Sequence, residues 1–169
     1  MQEVSSRELS FNAFRSINEE WAVLVTQDAG KVNGMTVNWF QLGYLWNEDV
    51  VTVYVRPQRH TYPLINSLNT FSLCFLAQTP EAREQLAYLG SASGRDQDKL
   101  AHCGLLAAYD GATPYIQQAR WVFICEILYQ QDLDPQGFRD PAFRDQKYAE
   151  GDYHRMYVGR IKRVLAAQD

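Results

Sequence analysis

Met35-Thr36-Val37-Asn38-Trp39-Phe40-Gln41-Leu42-Gly43-Tyr44-Leu45-Trp46 is dense in β-branched and aromatic residues. Met35, Val37 and Trp39 fall on one face and Thr36, Asn38 and Phe40 on the other, the period-two pattern of a strand. Val50–Val55 repeats that pattern, and Pro57 ends it because proline has no N–H to donate to a ladder. With Asn47-Glu48-Asp49 as the turn, the two runs predict a β-hairpin. Working outward, Trp21–Thr26, Thr70–Leu76, Trp121–Tyr129 and Tyr153–Leu165 read as further strands, with Asp28-Ala29-Gly30 turning the chain. Short helices are expected over Asn12–Glu20, over Thr61–Leu68 with Thr61 as cap, and over Arg95–Ala101. Thr79-Pro80-Glu81 starts another, reaching about Leu89, because it offers a capping hydroxyl, a proline at the first helical position and an acid facing the dipole. Strands that do not alternate with crossover helices argue against a doubly wound sheet. The expected class is mainly β: an antiparallel barrel with peripheral helices. Gln130–Gly151, polar and rich in Asp, Arg and Pro, is expected as a long loop serving as lid or dimer arm.

The chain has 169 residues, 46% hydrophobic and 21% charged, which suits one globular domain over 1–169. Twenty acids against 16 lysines and arginines leave a net charge of −4, which excludes a general nucleic-acid binder. Met1–Ser10 has no apolar stretch of the kind a signal peptide needs. The longest apolar runs fall short of the roughly 20 residues that span a bilayer. A cytoplasmic protein without a membrane partner is therefore expected. Cys74, Cys103 and Cys125 show no ligand spacing and read as reduced thiols. His60, His102 and His154 lie far apart without patterned Cys, Asp or Glu, so no metal site is expected. Eight Phe, four Trp and ten Tyr exceed what one small core needs, which points to an interface or a flat ligand.

Two segments carry charge chemistry. No Asp or Glu occurs from Val51 to Pro80, yet Arg56, Arg59 and His60 cluster there. Arg56-Pro57-Gln58-Arg59-His60-Thr61 offers two guanidinium forks and a hydroxyl to a phosphate group, though residue statistics alone favour two surface arginines and a helix cap. Gly90-Ser91-Ala92-Ser93-Gly94-Arg95-Asp96-Gln97-Asp98-Lys99 lets backbone N–H groups approach an anion, with donors at Ser91, Ser93, Arg95 and Lys99. Ser93 with Asp96 also reads as a capping box. Asp132 and Asp134, beside Pro135 and Gly137, read as turn formers. The serine elbow G-x-S-x-G and the fingerprint G-x-G-x-x-G are both absent.

Four ordered segments resemble one family, the flavin reductase-like FMN-binding split-barrel proteins, flavoredoxins included. They are Asn33–Trp39, Val55–Tyr62, Gly90–Lys99 and Gly151–Gly159, within a likeness running from Trp21 to about Val164. The resemblance implies an antiparallel split β-barrel with FMN as cofactor. It implies that Asn33, Met35, Thr36, Val37 and Asn38 run along the isoalloxazine and ribityl chain. Arg56, Arg59 and Thr61 would take the phosphate, and Ser91, Ser93, Gly94 and Lys99 would close the site. A homodimer with flavin near the interface is implied as well. The activity implied is hydride transfer from NADH or NADPH to flavin N5, with a redox partner protein among the acceptors. Nicotinamide-using members often show Gly-Asp-His before the last strand, whereas here Tyr153 separates Asp152 from His154. His154 is thus the one catalytic candidate, set against a plain strand-start turn. Two other readings stand beside the reductase: an FMN-bound electron carrier supplied by a protein partner, and a flavin-free structural or interaction barrel.

Overall fold

A computed structural model describes residues 1–10 and 12–168 of the chain. Its strands are β1 (Gln2–Val4), β2 (Ala22–Asp28), β3 (Lys31–Val37), β4 (Phe40–Leu45), β5 (Glu48–Val55), β6 (Thr70–Phe75), β7 (Ala107–Asp110), β8 (Thr113–Ile116), β9 (Trp121–Asp132) and β10 (Arg155–Ala166). Helices are α1 (Ala13–Arg15), α2 (Thr61–Leu68), α3 (Pro80–Ser91), α4 (Lys99–His102) and α5 (Pro141–Lys147). The main sheet is antiparallel throughout and runs β3-β2-β6-β9-β10-β5-β4, with β1 added to the far end of β10. It does not close, so the mainly β fold and the split-barrel expectation hold.

β2, β6 and the first half of β9 bury both faces. Along β2, Ala22 and Leu24 enter the barrel core beside Phe71, Leu73, Phe75 and Phe123. Val23 and Val25 point the other way, onto Leu86, Leu89 and Leu100 of α3 and α4 and onto Ile116 of β8. Burial on both faces replaces the alternation of a half-exposed strand with a continuous apolar run. In β10 the register shifts at Val158/Gly159, letting the long strand bend from β5 toward β1. A Cβ at Gly159 would stand 2.7 Å from the Phe71 ring, so only glycine passes there.

Several expectations need correction. Met35–Trp46 is two strands rather than one. β3 and β4 lie at opposite ends of the sheet order, and Asn38-Trp39 carries the chain from one edge to the other. Local strand propensity is satisfied on both sides of this link and does not register the change of partner. Thr61 is the first residue of α2 rather than its cap: it is buried, and its hydroxyl accepts from Asn33 Nδ2 at 2.8 Å. The 95–101 helix shrinks to α4, because Asp98 caps the Ala101 N–H at 3.0 Å while Ser93 Oγ accepts from Arg95 N in a turn. The 12–20 helix is α1 followed by a π-helical turn, Ser16–Glu20. The 130–151 stretch is only partly loop: β9 runs on to Asp132, a 3-10 turn spans Pro135–Gly137, and Asp140 caps α5. β1 and the β7–β8 hairpin were not expected; the hairpin covers the outer face of β2 and β6.

Candidate functional site

The split between the β3 and β4 edges opens into a cavity of about 550 Å³, bounded by Met35, Val37, Trp39, Tyr54, Arg56 and His154 among others. Thr36, Asn38, Gln58 and Arg59 also reach it. A second cavity of about 180 Å³ adjoins it through Met35, Gln58 and Arg59, and is walled by Asn33, His60, Thr61, Ser91–Arg95 and Lys99. The paired cavities bring together every residue implied for the cofactor. They also separate them: Arg56 lines only the larger space, and the phosphate-type donors line the smaller one.

The small cavity is built by β3, the start of α2, the end of α3 and α4. Arg59 donates from Nε to Met35 Sδ at 3.1 Å and from Nη2 to the Gly90 carbonyl at 2.6 Å. Lys99 is 5% exposed and donates from Nζ to the Leu89 carbonyl at 2.8 Å. Among the described residues, no carboxylate lies within salt-bridge distance of Arg59, Arg95 or Lys99. Burial and then the nearby Arg59 charge push the Lys99 ammonium down to about 8. Burial and then the Arg56 charge lower Arg59 as well. His60 moves down too, through burial and then Arg95 and Lys99. Burial leads all three shifts and neighbouring cations add to them, while Asp96 opposes the shift at His60. Gly94 belongs to the wall: a Cβ there would sit 2.0 Å from Asn33 Oδ1, so the loop approaches β3 only as glycine. Ser91 donates to the Ala87 carbonyl at 2.9 Å, which orients its oxygen at the end of α3. Thr36 sits at the rim, its hydroxyl donating to the Leu86 carbonyl at 2.6 Å.

At the other end, Arg56 has a different set of partners. It pairs with Asp152, donates from Nη2 to the Lys147 carbonyl at 3.2 Å, and lies 5.4 Å over the Tyr148 ring. Gln58 Nε2 adds a bond to Asp152 at 2.7 Å. Arg56, and next Gln58, hold the Asp152 carboxyl below the usual carboxylate range. This clamp ties the 147–154 segment to the split. Within it, His154 Nδ1 lies 3.0 Å from the Tyr148 hydroxyl and its ring 4.8 Å from Trp39. Burial and then the Arg56 charge push His154 down to about 4, so the imidazole facing the larger cavity is neutral at pH 7.

A model of the flavin reductase-like domain matches residues 14–169. The chain belongs to the flavin reductase-like family. Among solved structures it resembles an FMN-binding protein of Thermus thermophilus carrying p-hydroxybenzaldehyde, with TM-score 0.70 and 20% identity over 99% of this chain and 83% of that one. Flavoredoxin of Desulfovibrio vulgaris (Miyazaki F) gives 0.69 and 16% over 99% and 77%. The styrene monooxygenase flavin reductase of Pseudomonas putida S12 gives 0.64 and 19% over 88% and 80%. Comparison with curated proteins gives no match. Among the described residues no helix is long and apolar enough to cross a membrane.

Trp39, Tyr54, Gln58, His60 and Arg95 complete the two cavities without having been among the implied cofactor residues. Tyr54 had a signal: it shares strand parity with Arg56, on the face opposite Val53 and Val55. Tyr148 had none, since it reaches His154 and Arg56 only through the path of the 133–154 segment.

Proposed function

We propose that the chain is a cytoplasmic FMN-binding oxidoreductase, a single domain over 1–169 acting as a homodimer with NADH or NADPH as electron donor. One observation carries the reading: a small cavity where Arg59, Arg95 and Lys99 converge without a carboxylate opens directly into a larger, aromatic-walled one. The first has the size and charge of a site for a phosphate monoester, and the second is broad enough for a fused ring. Arg59 offers a planar fork, Lys99 a buried point charge, and Ser91 and Ser93 hydroxyl contacts, to a phosphate at the end of α3. Thr61 serves indirectly, by holding Asn33 in place. The backbone from Met35 to Asn38 runs beside the ring site, with the edge of β3 free to present N–H and carbonyl groups to it. Trp39 and the neutral His154 wall that space. When bound, flavin supplies the hydride and electron chemistry, which needs no side-chain acid or base and accounts for a site without a catalytic triad. The exposed Tyr44, Trp46 and Tyr129, with Trp46 edge-on to Tyr129 at 6.1 Å, support a dimer face.

The electron-carrier reading draws on a second observation. Asp152, which stands where nicotinamide-using relatives of this pattern carry their acid, is held by Arg56 and Gln58. A visible spectrum of the protein with added FMN, followed by NADH and NADPH oxidation assays, separates the cases. Flavin bands with turnover are expected. Bands without turnover favour the carrier, and a colourless protein that takes up no FMN overturns both and leaves the flavin-free barrel.

A further inference from the structure

A third cavity, of about 450 Å³, lies beyond the wall of the ring site. Phe40 and Tyr54 form its floor on the sheet, and Phe138, Phe143 and Tyr148 of the 133–148 segment form its roof. Trp39 and Tyr54 line both this chamber and the larger cavity, so the two are neighbours across one side-chain thickness. The hydrogen-bonded pair Tyr148–His154 straddles the same wall, Tyr148 on the chamber side and His154 on the other.

The polar groups here are few and unengaged. Lys147, exposed at the rim, lies 5.8 Å over the Phe143 ring, and among the described residues no carboxylate is within salt-bridge distance of it. Of the acids that follow or precede it closely in sequence, Asp145 pairs with Arg144 and Asp152 with Arg56, while the exposed Glu150 makes no ion pair among the described residues and does not line the chamber. Gln41 lines the chamber and makes no side-chain hydrogen bond among the described residues, and the half-buried Tyr54 hydroxyl makes none either. A concave space with aromatic walls and a small set of free polar groups has the composition of a small-molecule site. The free cation sets the sign of its ligand.

We propose that this chamber binds a flat aromatic molecule bearing a carboxylate, its ring between Trp39 and Phe143 and its anionic end at Lys147. The binding stands on the chamber alone. That such a ligand would lie beside a bound flavin, placed as acceptor or modulator, rests on the proposed function.

Calorimetric titration of the flavin-free full chain with 2-naphthoate and with 2-naphthamide tests the proposal without using flavin. The carboxylate is expected to bind about threefold to fivefold more tightly than the amide at low salt, and to shift the Trp39 indole N–H resonance. Lys147→Gln should erase that preference while leaving amide binding unchanged, and Phe143→Ala should weaken both at least fivefold; both side chains are exposed enough for the fold to survive their loss. FMN, if it binds, should add to the naphthoate complex without displacing it. Equal affinity for the two probes, an unmoved Trp39 signal, or stoichiometric displacement by FMN would overturn the assignment. So would sedimentation showing that a second copy of the chain covers Phe143 and excludes the probe.

Discussion

Arg56 and Arg59 sit three residues apart in one loop and live in opposite electrostatic surroundings. Arg56 is neutralised by Asp152, capped by the Lys147 carbonyl and laid over Tyr148. Among the described residues the Arg59 side chain hydrogen-bonds to the Met35 sulfur and the Gly90 carbonyl, beside a second buried cation. A guanidinium already satisfied by a carboxylate has little left for a ligand, whereas one held in place by neutral acceptors keeps its charge available. On the proposed function, the first arginine is a tether and the second an anion donor, though the sequence presents them as a matched pair.

The contrast can be broken hardest at Gly94. Gly94→Ala forces a methyl against Asn33, and should remove flavin binding of any kind while destabilising the fold by about 1–3 kcal/mol, read by thermal melting and flavin fluorescence. Lys99 sharpens the cationic side through pH. Its lowered pKa of about 8 means that the ammonium is present below that pH and neutralised above it. FMN affinity should therefore fall as pH rises from about 7 to 9, and Lys99→Met should bind FMN several-fold more weakly at pH 7 and lose the pH dependence. The same shift makes the folded state gain stability between pH 8 and 10.5, where the unfolded chain still carries the proton. The smallest effect belongs to the clamp. Asp152→Asn should leave FMN affinity within about threefold of the parent, cost about 1 kcal/mol for a partly exposed pair, and raise hydrogen exchange in the 141–152 segment.

Much of the architecture was readable because its signals are local. Val51, Val53 and Val55 point inward as their alternation requires, and Thr79-Pro80 starts α3 as its chemistry dictates. The break at Asn38-Trp39 was not readable, since the residues on both sides favour strands and only the far-apart partners β2 and β5 distinguish them. Asp140-Pro141 carried the same start signal as Thr79-Pro80 and was hidden by the polarity around it. At the candidate site, the acid-free run from Val51 to Pro80 supplies two of the cations that line the paired cavities, Arg56 and Arg59. What it missed was Asp152, an acid almost a hundred residues away that returns to cancel one of them. Short-range pattern thus found the donors, and long-range pairing decided which remained free.

The most direct test of that division is the affinity of Arg59→Ala for FMN compared with riboflavin, measured by flavin fluorescence beside the same pair for Arg56→Ala. A charge-assisted contact contributes about 1.5–3 kcal/mol, so Arg59→Ala should lose about tenfold to a hundredfold in FMN affinity and almost nothing for riboflavin. Arg56→Ala should change the two ligands alike. Equal losses for both flavins in Arg59→Ala, or a phosphate-selective loss in Arg56→Ala alone, would contradict the account.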